Sequence, residues 1–491
     1  MNQTEIKAPQ ENKNSPKLYS LTQLEKEFKI PLRYARHLVM ARHVESVLKD
    51  GRVYVTAESL KKFLSKPKQE KEAHHHKGLM KRIGPGIITG AADHDPSGIG
   101  TYSTVGAQFG LALTWLALYL LPLMTAVQET CARIGIVTGK GLSGALRKKF
   151  GRNTVFVLIL LLIIANTINI GADLGGMAAS FQMITGINYV FSAVFFAAVI
   201  IFSTVYLSYH TFAKYLKWLV LSLLAYIITG FIIKPDWLQV ARSIVIPKVQ
   251  FSTGFLMANI AIIGTTISPY LFFWQSSQEV EEERDDGTLS DRHSAIIKEE
   301  LHEMRKDVFS GMSLTNIIFL FIIITTAFVL FAHGVTNIQT AEQAASALKP
   351  LAGNLAYFIF AIGIVGTGML AIPVLAGASA YAIAELMKWH EGLNLKYKKA
   401  HGFYGIIIVS TLVGLAMNFV GINPISALYW TAVINGIIAS VLLIFIFKIG
   451  NDRKIMGAHT NPGWVKIFGF IATALMIASS AAFIIASFIG Q

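Results

Sequence analysis

Two stretches of the sequence place proline beside polar residues in the middle of long apolar runs. The first, GPGIITGAADHDPSGIGTYS, is interrupted at residues 93–98. The second, ANIAIIGTTISPYLFFWQ, is interrupted at Thr265, Thr266, Ser268 and Pro269. Proline disrupts a helix, and carbonyls freed inside a membrane need a partner. A bound cation is one such partner, and the alternative is a pair of kinks satisfied by neighbouring helices.

The acidic residues of the first interruption are the leading candidates for metal ligands. An aspartate in mid-membrane costs about 3 kcal/mol on insertion scales, and a cation would compensate for that cost. Asp95 is therefore the first candidate. Asp93 is a second ligand, a group on the entry path or a group that faces water. His94 is a ligand or proton acceptor, or equally a buried histidine with a structural hydrogen bond.

The composition indicates a membrane protein. Of the 491 residues, 53% are hydrophobic and only 15% are charged, whereas soluble domains carry about 25% charged residues. The net charge of +14 lies between apolar runs, which favours a membrane over nucleic acid. The single cysteine, Cys131, excludes an internal disulfide and a cysteine-rich metal site. No phosphate-binding loop or HExxH motif is present, so we expect neither an enzyme nor a bound cofactor.

The apolar runs predict an all-α integral membrane protein of about eleven transmembrane helices. The predicted spans are 83–106, 111–137, 154–183, 188–208, 215–233, 252–277, 308–332, 352–386, 402–420, 424–447 and 464–488. Lysine and arginine concentrate in the alternate loops 138–153, 387–401 and 448–463. The positive-inside rule therefore predicts a cytoplasmic N-terminus and an external C-terminus, in the inner (plasma) membrane of a bacterium.

We expect residues 1–75 to form a separate cytosolic accessory domain with a disordered start, and residues 76–491 to form the membrane domain. Ser20 is expected to cap a helix with Glu25 nearby, a second helix follows Pro31, residues 50–55 form a turn and strand, and Thr56 caps a last helix. The pattern resembles a small winged helix-turn-helix. Nucleic acid is an unlikely partner because the basic residues are scattered, and the sequence does not identify the partner of this domain.

The interruptions fall in the first and sixth predicted spans. Two inverted repeats of five spans would place them in corresponding positions, with a substrate site where the repeats meet. Spans 1–5 then form one repeat, spans 6–10 the other, and span 11 is additional.

Several short motifs over residues 80–488 resemble the NRAMP (natural resistance-associated macrophage protein) transporters. They are GPG at Gly84–Gly86, DPSG at Asp95–Gly98, AQFG at Ala107–Gly110, ARIGIVTGKGL at Ala132–Leu142, KPDW at Lys234–Trp237 and NDRKIMGAHTNPGWV at Asn451–Val465. The resemblance implies a LeuT-like 5+5 inverted repeat with broken helices 1 and 6. It also implies that Asp95 and the carbonyl groups of Thr265 and Ala92 hold a metal ion.

This sequence departs from the family pattern at positions that contact the ion. Gly98 replaces the family asparagine, and Ser268 replaces the methionine, so a hydroxyl stands where the family has a thioether. Hard oxygen ligands suit magnesium and manganese, and magnesium retains much of its water. The resemblance therefore narrows to the NRAMP-related magnesium transporters, with Mg²⁺ favoured first and Mn²⁺ next.

Proton coupling is expected to be weak or absent. Asp173 matches a family aspartate, but Gly176 and Tyr270 replace the accompanying glutamate and histidine. Asp173 alone is a short proton relay unless His94 or Asp93 contributes, and it could equally be a structural acid bonded to Asn166 or Asn169. Asn435 could contact the ion in one state or only tie helices together.

We therefore predict transport of a divalent cation by alternating access, with the metal ion as substrate and the lipid bilayer as surroundings. The alternatives are a proton-coupled Mn²⁺/Fe²⁺ symporter, an organic-solute symporter and a non-transporting membrane receptor of the same fold. A carboxylate substrate would be repelled by Asp95 and Asp93, which disfavours amino acids.

Overall fold

A computed structural model describes residues 18–28, 35, 38–39, 44–49, 52–64, 84–206, 221–285 and 294–489. The chain divides into two compact units, one of Met1–Arg82 with Glu282–Glu300 and one of Ile83–Glu281 with Leu301–Gln491.

The first unit contains a small antiparallel sheet and two described helices. Its elements are β1 (Leu18–Ser20), α1 (Leu21–Phe28), β2 (Ser46–Lys49), β3 (Arg52–Thr56) and α2 (Ala57–Leu64). The strand order is β1–β3–β2, with Leu18 opposite Thr56 and Ser46 opposite Val55. A buried apolar cluster joins sheet and helices: Leu21, Leu24, Ala35, Leu38, Val44, Val55, Leu60 and Phe63.

The helix caps of this unit match the sequence in part. The Gln23 backbone N–H donates to Ser20 Oγ, and the Ser20 N–H donates to Gln23 Oε1, a reciprocal capping box. The partner of Ser20 is thus Gln23 and not Glu25, because the box requires a spacing of three residues. The predicted helix after Pro31, apart from residues 35, 38 and 39, and the turn at residues 50–51 lie outside the described residues.

The described part of the second unit contains helices and connecting segments but no β-strand. Its helices are α3 (Pro85–Ala92), α4 (Pro96–Phe109), α5 (Trp115–Thr138), α6 (Leu142–Thr185), α7 (Tyr189–Tyr206), α8 (Leu224–Ile232), α9 (Trp237–Val245), α10 (Thr253–Thr266), α11 (Pro269–Asp285), α12 (Ser294–Val329), α13 (Ala341–Ala345), α14 (Lys349–Ala352), α15 (Ala356–Met387), α16 (His401–Ala416), α17 (Pro424–Gly450), α18 (Arg453–Met456) and α19 (Gly463–Ile489). Helices α11 and α12 extend into the residues assigned to the first unit.

Nine helical segments in the described part are long and apolar enough to cross a membrane. The predicted first span is not among them because it consists of the two short helices α3 and α4. Of the predicted fifth span, only residues 221–233 are described. The prediction of an all-α membrane protein is confirmed.

Both interrupted spans are broken, and proline begins the second half of each. Pro96 and Pro269 occupy the first helical positions of α4 and α11, where a missing N–H costs nothing and the fixed φ suits a helix. The first break is narrower than predicted: it covers residues 93–95, and Ser97 and Gly98 already belong to the first turn of α4.

Two helices extend beyond the apolar runs that predicted them. Residues 142–150, predicted as a basic loop, form the start of α6, which changes direction at Gly151 with φ 79° and ψ 170°. Helix α12 begins at Ser294 instead of residue 308. Hydropathy locates the apolar part of a helix and misses its charged extension.

The centre of the unit is formed by α4, α6, α10, α15 and α17. Helix α6 packs against α15 and α17, and α10 packs against α17 and α4. Gly264 of α10 lies so close to α17 that a Cβ atom there would be 2.2 Å from the Ala432 carbonyl oxygen and 2.4 Å from the Gly436 nitrogen. Side chains cannot relieve this contact, because both partners are backbone atoms.

We expect Gly264→Ala to lower the apparent melting temperature of the detergent-purified protein. The added methyl group must push α10 and α17 apart, at an overpacking cost of roughly 1–3 kcal/mol. Gly405→Ala in α16 is the matched control, since nothing lies within 4 Å of its Cβ position. Equal melting temperatures for the two variants would contradict the close packing.

Candidate metal site

Asp95 occupies the break in the first span and caps the helix that follows. It is 1% exposed, and its extended backbone (φ −63°, ψ 166°) is that of an N-cap residue. Its Oδ1 accepts hydrogen bonds from the Gly98 N–H at 2.6 Å and from Ser97 Oγ at 2.8 Å. Oδ1 is thus fully occupied, and Oδ2 is the oxygen that can face a ligand.

The second break contributes neutral oxygens. The Ser268 hydroxyl donates at 2.8 Å to the carbonyl oxygens of Gly264 and Thr265. We predicted the Ser268 hydroxyl and the Thr265 carbonyl as separate ligands, and the structure instead bonds them to each other. A cation at this position must use the remaining lone pairs of these oxygens or reorient the hydroxyl.

Tyr270 connects the two broken spans. Its hydroxyl donates to the Ala92 carbonyl oxygen at 3.0 Å and lies 3.5 Å from Asp95 Oδ2. Both atoms are predicted ligands, so in this structure the Tyr270 hydroxyl occupies the space between two predicted metal ligands. The sequence identified Tyr270 as the replacement for a family histidine and as a candidate proton-path or gating residue, but it did not indicate this contact.

Gly98 leaves a space among three oxygen atoms. A Cβ atom at this position would lie 3.2 Å from the Asp93 carbonyl oxygen, 3.2 Å from Thr265 Oγ1 and 3.4 Å from Asp95 Oδ1. Glycine therefore opens the point at which the two broken spans meet, and oxygen atoms from both spans surround it.

A second carboxylate, that of Asp173, is linked to the site by hydrogen bonds. Asp173 of α6 accepts from the Ser97 N–H at 3.1 Å and from Asn169 Nδ2 at 2.9 Å. The same Asn169 nitrogen donates to Asp95 Oδ2 at 3.0 Å, and Asn435 of α17 donates to Asn169 Oδ1 at 2.7 Å. The sequence placed Asn169 only as a partner of Asp173, four residues along the helix. Its contact with Asp95 requires the packing of α6 against α4.

Asp93 is a buried polar group of the site whose hydrogen-bonding atoms have no partner among the described residues. Its side chain is 0% exposed, and neither carboxylate oxygen has a hydrogen-bond partner among the described residues. His94, beside it, is 1% exposed. A buried carboxylate without a partner is costly, so Asp93 is retained at the expense of stability.

The site is rich in negative charge and oxygen. In the described part of the chain no lysine or arginine forms an ion pair with Asp93, Asp95 or Asp173, whereas acidic residues elsewhere, such as Glu129 and Asp452, do have basic partners. Nor do three or more His, Cys, Asp or Glu side chains come together as metal ligands in those ranges. A site of one or two carboxylates with carbonyl and hydroxyl oxygens has the chemistry for a hard cation that keeps some of its water.

The half-helix α3 is anchored at several points on one side of the site. Asp307 of α12 accepts from the N–H groups of Gly84 at 3.1 Å and Gly86 at 2.6 Å. The Thr315 hydroxyl donates to the Gly90 carbonyl oxygen at 2.7 Å. In the same region Glu129 pairs with Arg133, four residues later in α5, and with Arg305 at 2.9 Å.

A cavity of about 690 Å³ opens on the opposite side, lined in part by Gln182, Tyr189 and Asn423. Leu428 of α17 packs against α4 and α6, since its Cδ1 would be 3.0 Å from a Cβ atom at Gly100 and 3.1 Å from one at Gly176.

Comparison with known proteins identifies the fold. The family described as natural resistance-associated macrophage protein-like matches residues 86–486. The divalent metal cation transporter MntH of Klebsiella pneumoniae (strain 342) is 23% identical over 412 residues, covering 83% of this chain and 94% of that protein.

Two solved structures share the fold at low sequence identity. The Eremococcus coleocola manganese transporter, in complex with an aromatic bis-isothiourea substituted compound, superposes with a TM-score of 0.66 at 18% identity and covers 84% of this chain and 87% of its own. MhsT in complex with L-phenylalanine gives a TM-score of 0.53 at 14% identity and covers 82% and 97%. The predicted LeuT-like fold is confirmed. The named relatives are transporters, in agreement with the prediction that this chain is not an enzyme.

We expect Asp93→Asn to raise the apparent melting temperature in EDTA, because it removes a buried charge that has no partner. The scale is about 1–3 kcal/mol, that of an unpaired buried polar group. Glu129→Gln is the matched control: it alters a buried carboxylate that has two arginine partners, and it should lower the melting temperature. If Asp93→Asn destabilised the protein as much as the control does, Asp93 would have a partner that these contacts do not include.

Proposed function

Because this chain belongs to the natural resistance-associated macrophage protein-like (NRAMP) family, we propose that it carries divalent metal cations across the membrane by alternating access. The protein is an integral membrane transporter, and its relatives carry the names divalent metal cation transporter and manganese transporter. Carriage of a divalent cation by this chain is supported most by one observation: the buried Asp95 carboxylate, without a basic ion-pair partner among the described residues, lies where both broken spans meet.

The proposed ligand set consists of oxygens that keep a lone pair for a cation beside their present hydrogen bonds. Asp95 supplies the charge through Oδ2, since Oδ1 is occupied by its own helix. Carbonyl oxygens of Ala92 and Thr265 and the hydroxyl of Ser268 supply neutral ligands, and Gly98 supplies the space. Asp93 adds a second negative charge close by.

The ion we propose is magnesium first and manganese next. The oxygen-rich site lacks the family's thioether, because residue 268 is serine, and soft ligands would be needed to favour softer transition metals. Few charged ligands also suit an ion that keeps part of its hydration shell.

We propose that transport is driven by the cation gradient with little or no proton coupling. The Asp173 carboxylate accepts hydrogen bonds from Asn169 and from the Ser97 backbone N–H. These contacts support a structural role for Asp173 and not a role in proton transfer. A proton-coupled Mn²⁺/Fe²⁺ symporter is the second candidate, and the buried His94 beside Asp93 is the observation that favours it.

The structure supports a scheme in which two barriers open in turn. The positive-inside rule places the N-terminus, and with it α3, on the cytoplasmic side, so the large cavity faces outward and Gln491 lies outside the cell. Opening outward requires Leu428 to separate from α4 and α6. Opening inward requires α3 to leave its anchors on Asp307 and Thr315.

The bacterial relatives support the inner (plasma) membrane as the location. We propose that residues 1–75 are a cytosolic accessory domain, whose partner is unlikely to be nucleic acid.

We expect proteoliposomes of the wild-type protein to take up Mg²⁺ and Mn²⁺ with little change of internal pH. Asp95→Ala should reduce uptake to that of empty liposomes, since the cation loses its charged ligand. Asp236→Ala is the control. Asp236 is also an N-cap aspartate, but it is exposed and caps α9, which is not part of the proposed site. Strong internal acidification with Mn²⁺ would overturn the uncoupled scheme, and undiminished uptake by Asp95→Ala would overturn the site.

We expect Tyr270→Phe to lower the apparent KM for uptake by about 2- to 10-fold, the range that corresponds to one net hydrogen bond. Its hydroxyl competes with the cation for Ala92 O and Asp95 Oδ2, so removing it destabilises the ion-free site. Tyr102→Phe is the control, since the Tyr102 hydroxyl contacts Thr266 Oγ1 at 3.2 Å. A higher KM for Tyr270→Phe would mean that the hydroxyl is itself a ligand.

A further inference from the structure

The Asn169 side chain uses both of its N–H groups and its oxygen in hydrogen bonds at the site. Its nitrogen donates to Asp95 Oδ2 at 3.0 Å and to Asp173 Oδ2 at 2.9 Å, and its oxygen accepts from Asn435 Nδ2 at 2.7 Å. The residue is 0% exposed. A single amide group therefore bridges two carboxylates on different helices and is itself held by a third helix.

The chemistry of its neighbours fixes the direction of this amide. In the reverse orientation, the Asn169 oxygen would face two carboxylate oxygens, and its nitrogen would face the donor of Asn435. Acceptors facing acceptors repel, and the buried carboxylates would lose a donor. Asn435 thus holds both N–H groups of Asn169 toward the carboxylates.

We propose that Asn169 is a positioning residue for ion binding, which holds the Asp95 carboxylate with Oδ2 presented to the cation. The proposal rests on the proposed function and deepens it. Oδ1 is fixed by the Ser97 and Gly98 donors of the Asp95 helix, and Oδ2 by Asn169 of α6. With donors at both oxygens the carboxylate cannot rotate, and the two N–H groups of Asn169 bridge Asp95 and Asp173 although both are acidic.

This arrangement makes the ligand geometry depend on helix packing. Asp95 belongs to the break before α4, whereas Asn169 belongs to α6 and Asn435 to α17. The carboxylate is held in place only while these three helices are in contact. Removing a group that orients a metal ligand in this way typically lowers metal affinity by about 10- to 100-fold.

The same helix offers a matched control. Asn166 lies three residues earlier, is also 0% exposed, and donates to the Leu375 carbonyl oxygen at 3.0 Å and Ser379 Oγ at 2.9 Å. It ties α6 to α15, and neither of these hydrogen bonds reaches Asp95 or Asp173. Removing it should affect stability in the way a purely structural asparagine does.

The test measures apparent KM, maximal rate and melting temperature for Mn²⁺ and Mg²⁺ uptake in proteoliposomes of the full chain. We expect Asn169→Ala to raise KM by about 10- to 100-fold and Asn166→Ala to leave KM within about twofold, with similar losses of melting temperature. Asn169→Asp, which is isosteric but adds an acceptor facing two carboxylates, should abolish uptake. If Asn169→Ala fails to fold, Asn435→Ala replaces it, because it frees the amide without removing it and should raise KM by several-fold.

Two results would overturn the positioning role while leaving the proposed function intact. One is an unchanged KM in Asn169→Ala, or in Asn435→Ala where that variant is used. The other is an equal rise of KM in Asn169→Ala and Asn166→Ala. Absence of uptake by both the wild type and Asn166→Ala would overturn the proposed function, and the positioning role with it.

Discussion

A carboxylate that is removed from water must find compensating charge or hydrogen bonds, and in this protein that requirement is concentrated at Asp95. Its N-cap position, the Ser97 hydroxyl and the Asn169 amide supply donors. They satisfy the carboxylate without neutralising its charge, because no basic side chain pairs with it in the described ranges. The break in the first span, the break in the sixth and the packing of α6 against α4 are the structural conditions for this arrangement.

Stability and function pull in opposite directions around this charge. Asp93 remains buried without a hydrogen bond, and Asp173 is added within reach of the same amide. A soluble protein core would replace such residues by apolar ones, since isolated buried charges destabilise. Their presence in the centre of a membrane protein is explained if a divalent cation visits the site and supplies the missing positive charge.

The sequence predicted most of the elements and half of the site. Apolar runs gave the spans, and proline beside polar residues located both breaks, because these signals are local. The charged start of α6 and the early start of α12 were not predicted, since helices continue beyond the apolar segment. Asp95 was found from its type and place. The Ser268–Thr265 bond, the Tyr270–Ala92 bond and the Asn169 bridge were not, because each depends on how helices are rotated against one another. Asn169 of α6 bonds Asp95, whereas Asn166, one helical turn earlier, bonds α15. The sequence alone does not distinguish these two asparagines.

Anomalous diffraction from crystals of the full chain soaked in Mn²⁺ would locate the ion directly. We expect a peak between the two broken spans, within about 2.0–2.6 Å of Asp95 Oδ2, with the Tyr270 hydroxyl moved away from Ala92 O. A peak elsewhere, with Asp95 still bonded to Tyr270, would contradict the cation-binding role of this carboxylate.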